Sequence, residues 1–224
     1  PHRCNMLEPS NAVHGLLGSC RERSLVIAGN GRTVWNDLKH SGTYPYGMGG
    51  LLPRIGYVPE TYQPPDLMAV NDIGMYLPHL EHWVSFHDDT LVLQNELRYR
   101  MWPQASQPML HSNGGGHLVR KDRRAVIEPV VPIHYWRFQF QSLLCSGVLA
   151  ICVGLSLGYS KIVLAGVPAD NDGAFYHPPH ERSAHGNTES HGAWQEFLQD
   201  VPEAKEKVRS LSGFTRQWFG APDE

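Results

Sequence analysis

Charge is scarce in this 224-residue chain: 18% of residues are charged, and the formal balance is −3 with all 13 histidines neutral. That excludes a protein that grips nucleic acid through bulk basic charge, and Arg120-Lys121-Asp122-Arg123-Arg124 reads as a solvated turn rather than a groove reader. Cysteine is also sparse. The four thiols, at 4, 20, 145 and 152, form no C-x-x-C pair, so neither a zinc ribbon nor a redox dithiol is encoded. They read as reduced, with Cys145 and Cys152 seven apart on one face of a buried helix. No apolar leader opens the sequence, which favours a cytoplasmic location. The longest uncharged run, residues 138–160, contains Gln, Ser and several Gly, and predicts a buried helix rather than a membrane span. H-E-x-x-H does not occur, which removes the helical zinc-protease site, and the G-x-S-x-G at residues 154–158 falls within the apolar run expected to be a buried helix rather than on a strand-to-helix turn, so it is no hydrolase elbow.

What the chain has in abundance is aromatic, Gly and Pro residues. Six Trp, nine Tyr and seven Phe supply a core, which excludes disorder, while 22 Gly and 17 Pro make much of the chain loop. The length suits one domain over residues 1–224, with a core over 24–175 and C-terminal helices over 193–220. Residues 41–65 hold five Gly and five Pro around Tyr44, Tyr46, Tyr57 and Tyr62, which forbids a regular helix or central strand and predicts a loop or lid pinned by its aromatics.

Continuous apolar runs predict buried strands over 24–28, 66–70, 82–86 and 161–165, with a further strand over 125–127. Helices are expected over 34–39, 90–101 (capped by Asp88 or Asp89), 142–158 (capped by Gly158), 193–199 and 202–211, the last stopped by Gly213. Strands alternating with helices predict an α/β, Rossmann-like, mostly parallel sheet with flanking helices and long loops. Ligands of such sheets lie at the carboxyl ends of the strands. Those ends carry Gly29-Asn30-Gly31-Arg32-Thr33, Asn71-Asp72, His87-Asp88-Asp89, and Gly166 followed by a His-rich loop. The first is a candidate nucleotide or phosphate loop: its glycines let backbone approach a ligand, and the next helix offers its positive N-terminus. Val34 stands where a dinucleotide fingerprint needs its third glycine, and no acidic residue follows at the right distance, which argues against NAD.

Ile27-Ala-Gly-Asn-Gly-Arg-Thr33 resembles the GNGPS loop shared by bacterial sialyltransferases of the Campylobacter type and the family of the archaeal hydroxymethylpterin pyrophosphokinase. Asp66-Leu-Met-Ala-Val-Asn71 is similar to their second strand, and residues 146–166 to their SG…A…LGY..I.L.G helix and strand. The resemblance implies a Rossmann-like glycosyltransferase that moves a sugar from a nucleotide-sugar donor to an acceptor hydroxyl, without a metal. It implies nucleotide contacts from Asn30 and Asn71, with Gly29 and Gly31 shaping the loop and Ser146 and Gly147 presenting backbone groups; Thr33 and Asp72, at the same strand ends, are further nucleotide-binding candidates. Arg32 replaces the family proline and can grip a phosphate itself. Gly166-Val-Pro replaces the family's Gly-x-Asp, with Asp170 and Asp172 displaced.

His177, His180, His185 and His191 lie beside those aspartates. The two prolines at 178 and 179 forbid a helical metal site there. By the same resemblance, a late-loop histidine is the base for the acceptor hydroxyl, so His185 or His191 is the candidate base and Tyr176 a partner of the leaving phosphate. Two rival readings keep the fold: a Mg-dependent pyrophosphokinase or nucleotidyl-type transferase with Asp72, Asp88 and Asp89 around the ion, and a non-catalytic nucleotide-binding module of a phage.

Overall fold

A computed structural model describes residues 11–41, 64–113, 132–138, 145–170, 172–179 and 188–222. Its centre is a seven-stranded sheet in the order β5-β4-β3-β2-β1-β6-β7, with every pairing parallel. The strands are β1 (Ser24–Ala28), β2 (Asp66–Val70), β3 (His82–Val84), β4 (Met109–Ser112), β5 (Ile133–Tyr135), β6 (Lys161–Ala165) and β7 (Val208–Ser210). The chain adds β2 to β5 outward on one side of β1, then returns to lay β6 and β7 on the other. The strand order therefore reverses between β1 and β6, the place where ligands of open α/β sheets gather.

β1 is apolar throughout because both of its faces are covered. Leu25 and Ile27 face a core shared with α3 (Ser146–Leu157), α4 (Thr188–Asp200) and the last helix, α6 (Gly213–Phe219). Val26 and Ala28 face the second core, with Val34 and Leu38 of α1 (Val34–His40), Trp83, and Leu91 of α2 (Asp88–Met101). All but two of the residues of α3 are buried, which explains its lack of a polar face. Gly158 ends it in the left-handed region at φ 92°, and the Tyr159 amide turns back to the Gly154 carbonyl (3.2 Å).

The predicted strands at 24–28, 66–70 and 161–165 form as expected, whereas the third stops at Val84. The helix predicted over 202–211 is instead one turn, α5 (Ala204–Lys207), running into β7. Val208 and Ser210 are buried against β6, so edge pairing overrides the local helical preference. Gly213 is not a helix stop but the start of α6, at φ 65°; a Cβ there would lie 2.3 Å from the Pro168 carbonyl oxygen. β4 and β5 went unpredicted because each is short and follows a proline. Asp88 and Asp89 lie within the first turn of α2, and His87 is its N-cap, without a side-chain capping bond. The strand predicted at 125–127, the tyrosines of 41–65, the basic run at 120–124, Cys4 and residues 142–144 lie outside the described residues. Cys20, Cys145 and Cys152 are free thiols. Among the described residues, no helix is long and apolar enough to cross a membrane.

Candidate functional site

A cavity of about 160 Å³ opens at the reversal point between β1 and β6. Gly29 and Asn30 line it from the loop after β1, and Val70 from the end of β2. Cys145 and Gly147 contribute the start of α3, and Trp194 closes it from α4. The remaining wall is the turn after β6, with Gly166, Val167, Ala169 and Asp170. Three expected ligand residues, Gly29, Asn30 and Gly147, thus meet at one hollow.

The glycines of the first loop do more than bare backbone to a ligand. The amides of Gly29 and Gly31 bond the carbonyls of Ala165 and Gly166 (both 2.8 Å), so the loop after β1 is joined to the turn after β6. A Cβ on Gly29 would lie 2.6 Å from the Gly166 oxygen, and one on Gly31 would lie 2.5 Å from Pro168 Cδ. Buried Asp37 fastens the same junction. Its Oδ2 accepts from the Gly166 amide (2.8 Å), the Thr33 hydroxyl (2.8 Å) and the Ser212 hydroxyl (2.7 Å). Thr33 is therefore turned into the scaffold beneath the loop.

Asp72 is the hub of the neighbouring rim. Tyr176 donates its hydroxyl to Oδ2 (2.6 Å), Gln94 donates to Oδ1 (2.5 Å), and the Asn30 amide group lies 3.3 Å from Oδ2. The other end of Asn30, Oδ1, accepts the Ile73 amide (2.8 Å). Asn30 thus clamps the β1 loop to the turn after β2, where Asn71 sits in the left-handed region at φ 58°. Burial first, and then the bond to Asp72, raise the Tyr176 phenol above its ordinary pKa. Arg32 donates to the carbonyls of Asp172, His177 (3.3 Å) and Pro178 (2.5 Å), strapping the segment that carries Tyr176. Its guanidinium is thus engaged with backbone, where the sequence suggested a phosphate.

His191, on α4, directs Nε2 at the Ala169 carbonyl (2.8 Å) between the rings of Phe214 and Trp218. In the neutral ring Nε2 carries the proton, and Nδ1 is left as the basic nitrogen. His177 accepts the Ala174 amide at Nδ1 (3.2 Å), a local turn contact. His180 and His185 lie outside the described residues. Ser146 begins α3, beside Gly147 of the cavity wall.

The aspartates expected around magnesium are not brought together. Among the described residues, the group with ligand atoms close enough to share an ion is Cys20, Asp66 and His82, towards the opposite edge of the sheet. The Tyr159 hydroxyl fills that triangle, donating to Asp66 (2.5 Å) and lying 2.8 Å from His82 Nε2. Asp88 Oδ2 is bonded instead by Tyr135 (3.0 Å). The residues present do not fit a magnesium centre built on Asp72, Asp88 and Asp89.

A helix-flanked parallel sheet with its cavity at the β1/β6 reversal has counterparts among solved structures. The fold is similar to that of the sialyltransferase CstII from Campylobacter jejuni. Against CstII in complex with cytidine-5′-monophosphate the identity is 17% and the TM-score 0.56, covering 90% of this chain and 85% of the other. Against CstII with CMP-3FNeuAc they are 15% and 0.53, covering 89% and 86%. A third structure, sialyltransferase CST-II with trisaccharide acceptor and CMP, gives 16% and 0.55, with 89% and 86% covered. At these identities the likeness is one of fold. No family model and no curated protein matches the chain. The pyrophosphokinase and phage affinities suggested by the motifs find no support in these comparisons.

Sequence reasoning missed Asp37, Gln94, Trp194 and Ser212. Asp37 carried a faint signal, a charged residue on the helix face it shares with Val34 and Leu38. Ser212 and Trp194 carried none, since their place depends on how the chain's last segments fold back over the β6 turn.

Proposed function

We propose that this chain is a glycosyltransferase that takes a sugar from a nucleotide-sugar donor and passes it to an acceptor hydroxyl. The observation that carries this reading is the convergence of Gly29, Asn30 and Gly147 on one cavity at the point of strand reversal, in a fold shared with CstII. The N-terminus of α3 has no acidic residue in its first turn, and its amides offer partial positive charge to a phosphate. Tyr176 is the candidate partner of the leaving phosphate: exchanging Asp72 for a phosphate oxygen keeps its hydroxyl a donor throughout. His191 would act through Nδ1, with Nε2 fixed on the Ala169 carbonyl, and His185 is the alternative base. The rest of the proposed nucleotide contacts are Gly31, Arg32, Thr33, Asn71, Asp72 and Ser146, of which Arg32 and Thr33 act by shaping the loop.

Thermal-shift and calorimetric titration with CMP, UMP, AMP and GMP tests the binding step, and NMR of sugar release from nucleotide sugars tests the chemistry. At least one monophosphate is expected to stabilise the protein. Removing the base should lower turnover about 10²–10⁴-fold at unchanged donor affinity, in either His191→Ala or His185→Ala. A protein that binds none of the four monophosphates ends this reading.

A further inference from the structure

Among the described residues eight large apolar side chains are exposed, and three of them lie on one helix. Leu93 (49% exposed), Leu97 (38%) and Met101 (49%) recur every fourth residue along α2, so they form one stripe on its outer face. The helix cannot roll to hide them, because its opposite face is fixed. Leu91 is buried in the second core, Gln94 donates to Asp72 (2.5 Å), and the Arg98 guanidinium donates to the carbonyls of Leu77, Pro78 and Ser106 (2.7 Å each). α2 thus carries apolar residues on both faces, and one of the two is turned to solvent.

The stripe is flanked by charge in a definite order. Asp89 is exposed in the first turn and Arg100 in the last, both on the stripe's side of the helix. The Thr90 amide bonds Asp89 Oδ1 (2.8 Å) and holds that carboxylate at the helix start. A face that runs acidic, apolar, basic complements a copy of itself laid antiparallel. When each Leu93 lies across from a Leu97, each Asp89 falls within one residue rise, about 1.5 Å, of an Arg100. The same arrangement sets opposite ends of the two helix dipoles side by side.

We propose that this face of α2 is a two-fold interface through which two copies of the chain associate, with Leu93 and Leu97 at its centre and Asp89 paired with Arg100 at both ends. The proposal is independent of the nucleotide-sugar reading above. A stripe on one helix is small for an obligate dimer, so the two copies associate and separate with concentration, with a Kd on the order of micromolar.

Analytical ultracentrifugation of the parent between about 1 and 300 μM tests this. The average mass should climb from monomer towards dimer across that range. Leu97→Glu should stay monomeric throughout and keep the parent's urea midpoint, since the residue is exposed. Asp89→Arg and Arg100→Asp, each alone, should weaken the dimer about tenfold or more, because each sets two like-charged pairs across the interface. The double variant carrying both Asp89→Arg and Arg100→Asp should regain the parent's association, which separates this antiparallel register from any other contact. A parent that stays monomeric overturns the proposal and leaves the stripe to a different partner. A dimer that survives Leu97→Glu overturns it too, as does a double variant that associates no more tightly than the single ones.

Discussion

Gly31 and Asn30 sit side by side and serve different purposes. Gly31 is small because another strand's turn occupies the space a side chain would need: Pro168 Cδ and the Gly166 oxygen lie 2.5 and 2.7 Å from where its Cβ would be. Asn30 is polar because it ties its own loop to the turn after β2, accepting from the Ile73 amide at one end and meeting Asp72 at the other. A glycine next to a nucleotide loop is readable in the sequence as a site of close approach. Whether backbone or ligand makes the approach is not, since the partner lies more than 130 residues away. Gly31→Ala is therefore expected to destabilise the fold by about 1–3 kcal/mol, the usual penalty for forcing atoms into a filled space. Urea unfolding should show a lower midpoint at unchanged slope. An unaltered midpoint would mean that the contact relaxes freely and that the loop's geometry is set elsewhere.

Among the elements, the segment 172–179 is tied to the loop after β1 by both side chain and backbone. Arg32 reaches three of its carbonyls, and the Phe175 amide bonds the Asn30 carbonyl (2.8 Å). The rings of Trp35, Tyr76 and Phe175 pack edge to face beneath it. Arg32→Ala removes bonds worth about 1.5–3 kcal/mol for a charged donor, so the Phe175 amide should exchange with solvent about tenfold faster or more. Exchange of the β1 and β6 amides should stay as in the parent, because Asp37 holds that junction independently. Equal exchange at Phe175 in both proteins would show that the aromatic packing alone holds the segment. β1, β2 and β6 were legible because a buried parallel strand is apolar on both faces. β7 was not, because a three-residue edge strand takes its stability from the neighbour it pairs with.

At the scale of the whole molecule, a buried polar chain crosses the sheet from Trp136, just after β5, to Asp66, at the start of β2. The Trp136 indole donates to His111 Nδ1 (3.0 Å), His111 Nε2 meets His82 Nδ1 (3.0 Å), and His82 Nε2 meets the Tyr159 hydroxyl (2.8 Å), which donates to Asp66. Arg23 closes the chain as the ion-pair partner of Asp66. The direction of these bonds gives both histidines one proton each, on Nε2. Burial first, then the charges of Arg23 and His134, hold His82 down to about 4, and burial pushes His111 well below its ordinary value. The unfolded imidazole takes its proton near 6.5, before the folded one does. The stability these groups confer is thus full above about pH 6.5 and is lost as pH falls towards 4. For His82 the loss is on the order of 3 kcal/mol. Urea midpoints between pH 7.5 and 4.5 should fall steeply in the parent and less steeply in His82→Gln. The same slope in both would place the acid sensitivity elsewhere. Composition and apolar runs were enough to specify a parallel α/β sheet with its candidate site at the carboxyl edge, because buried strands and glycine turns are local features of the chain. The cavity's wall, the Asp37 junction, the Asp72 hub and the histidine chain were decided only by folding. Each joins residues from distant segments, and a polar residue shows its partner only when the elements pack.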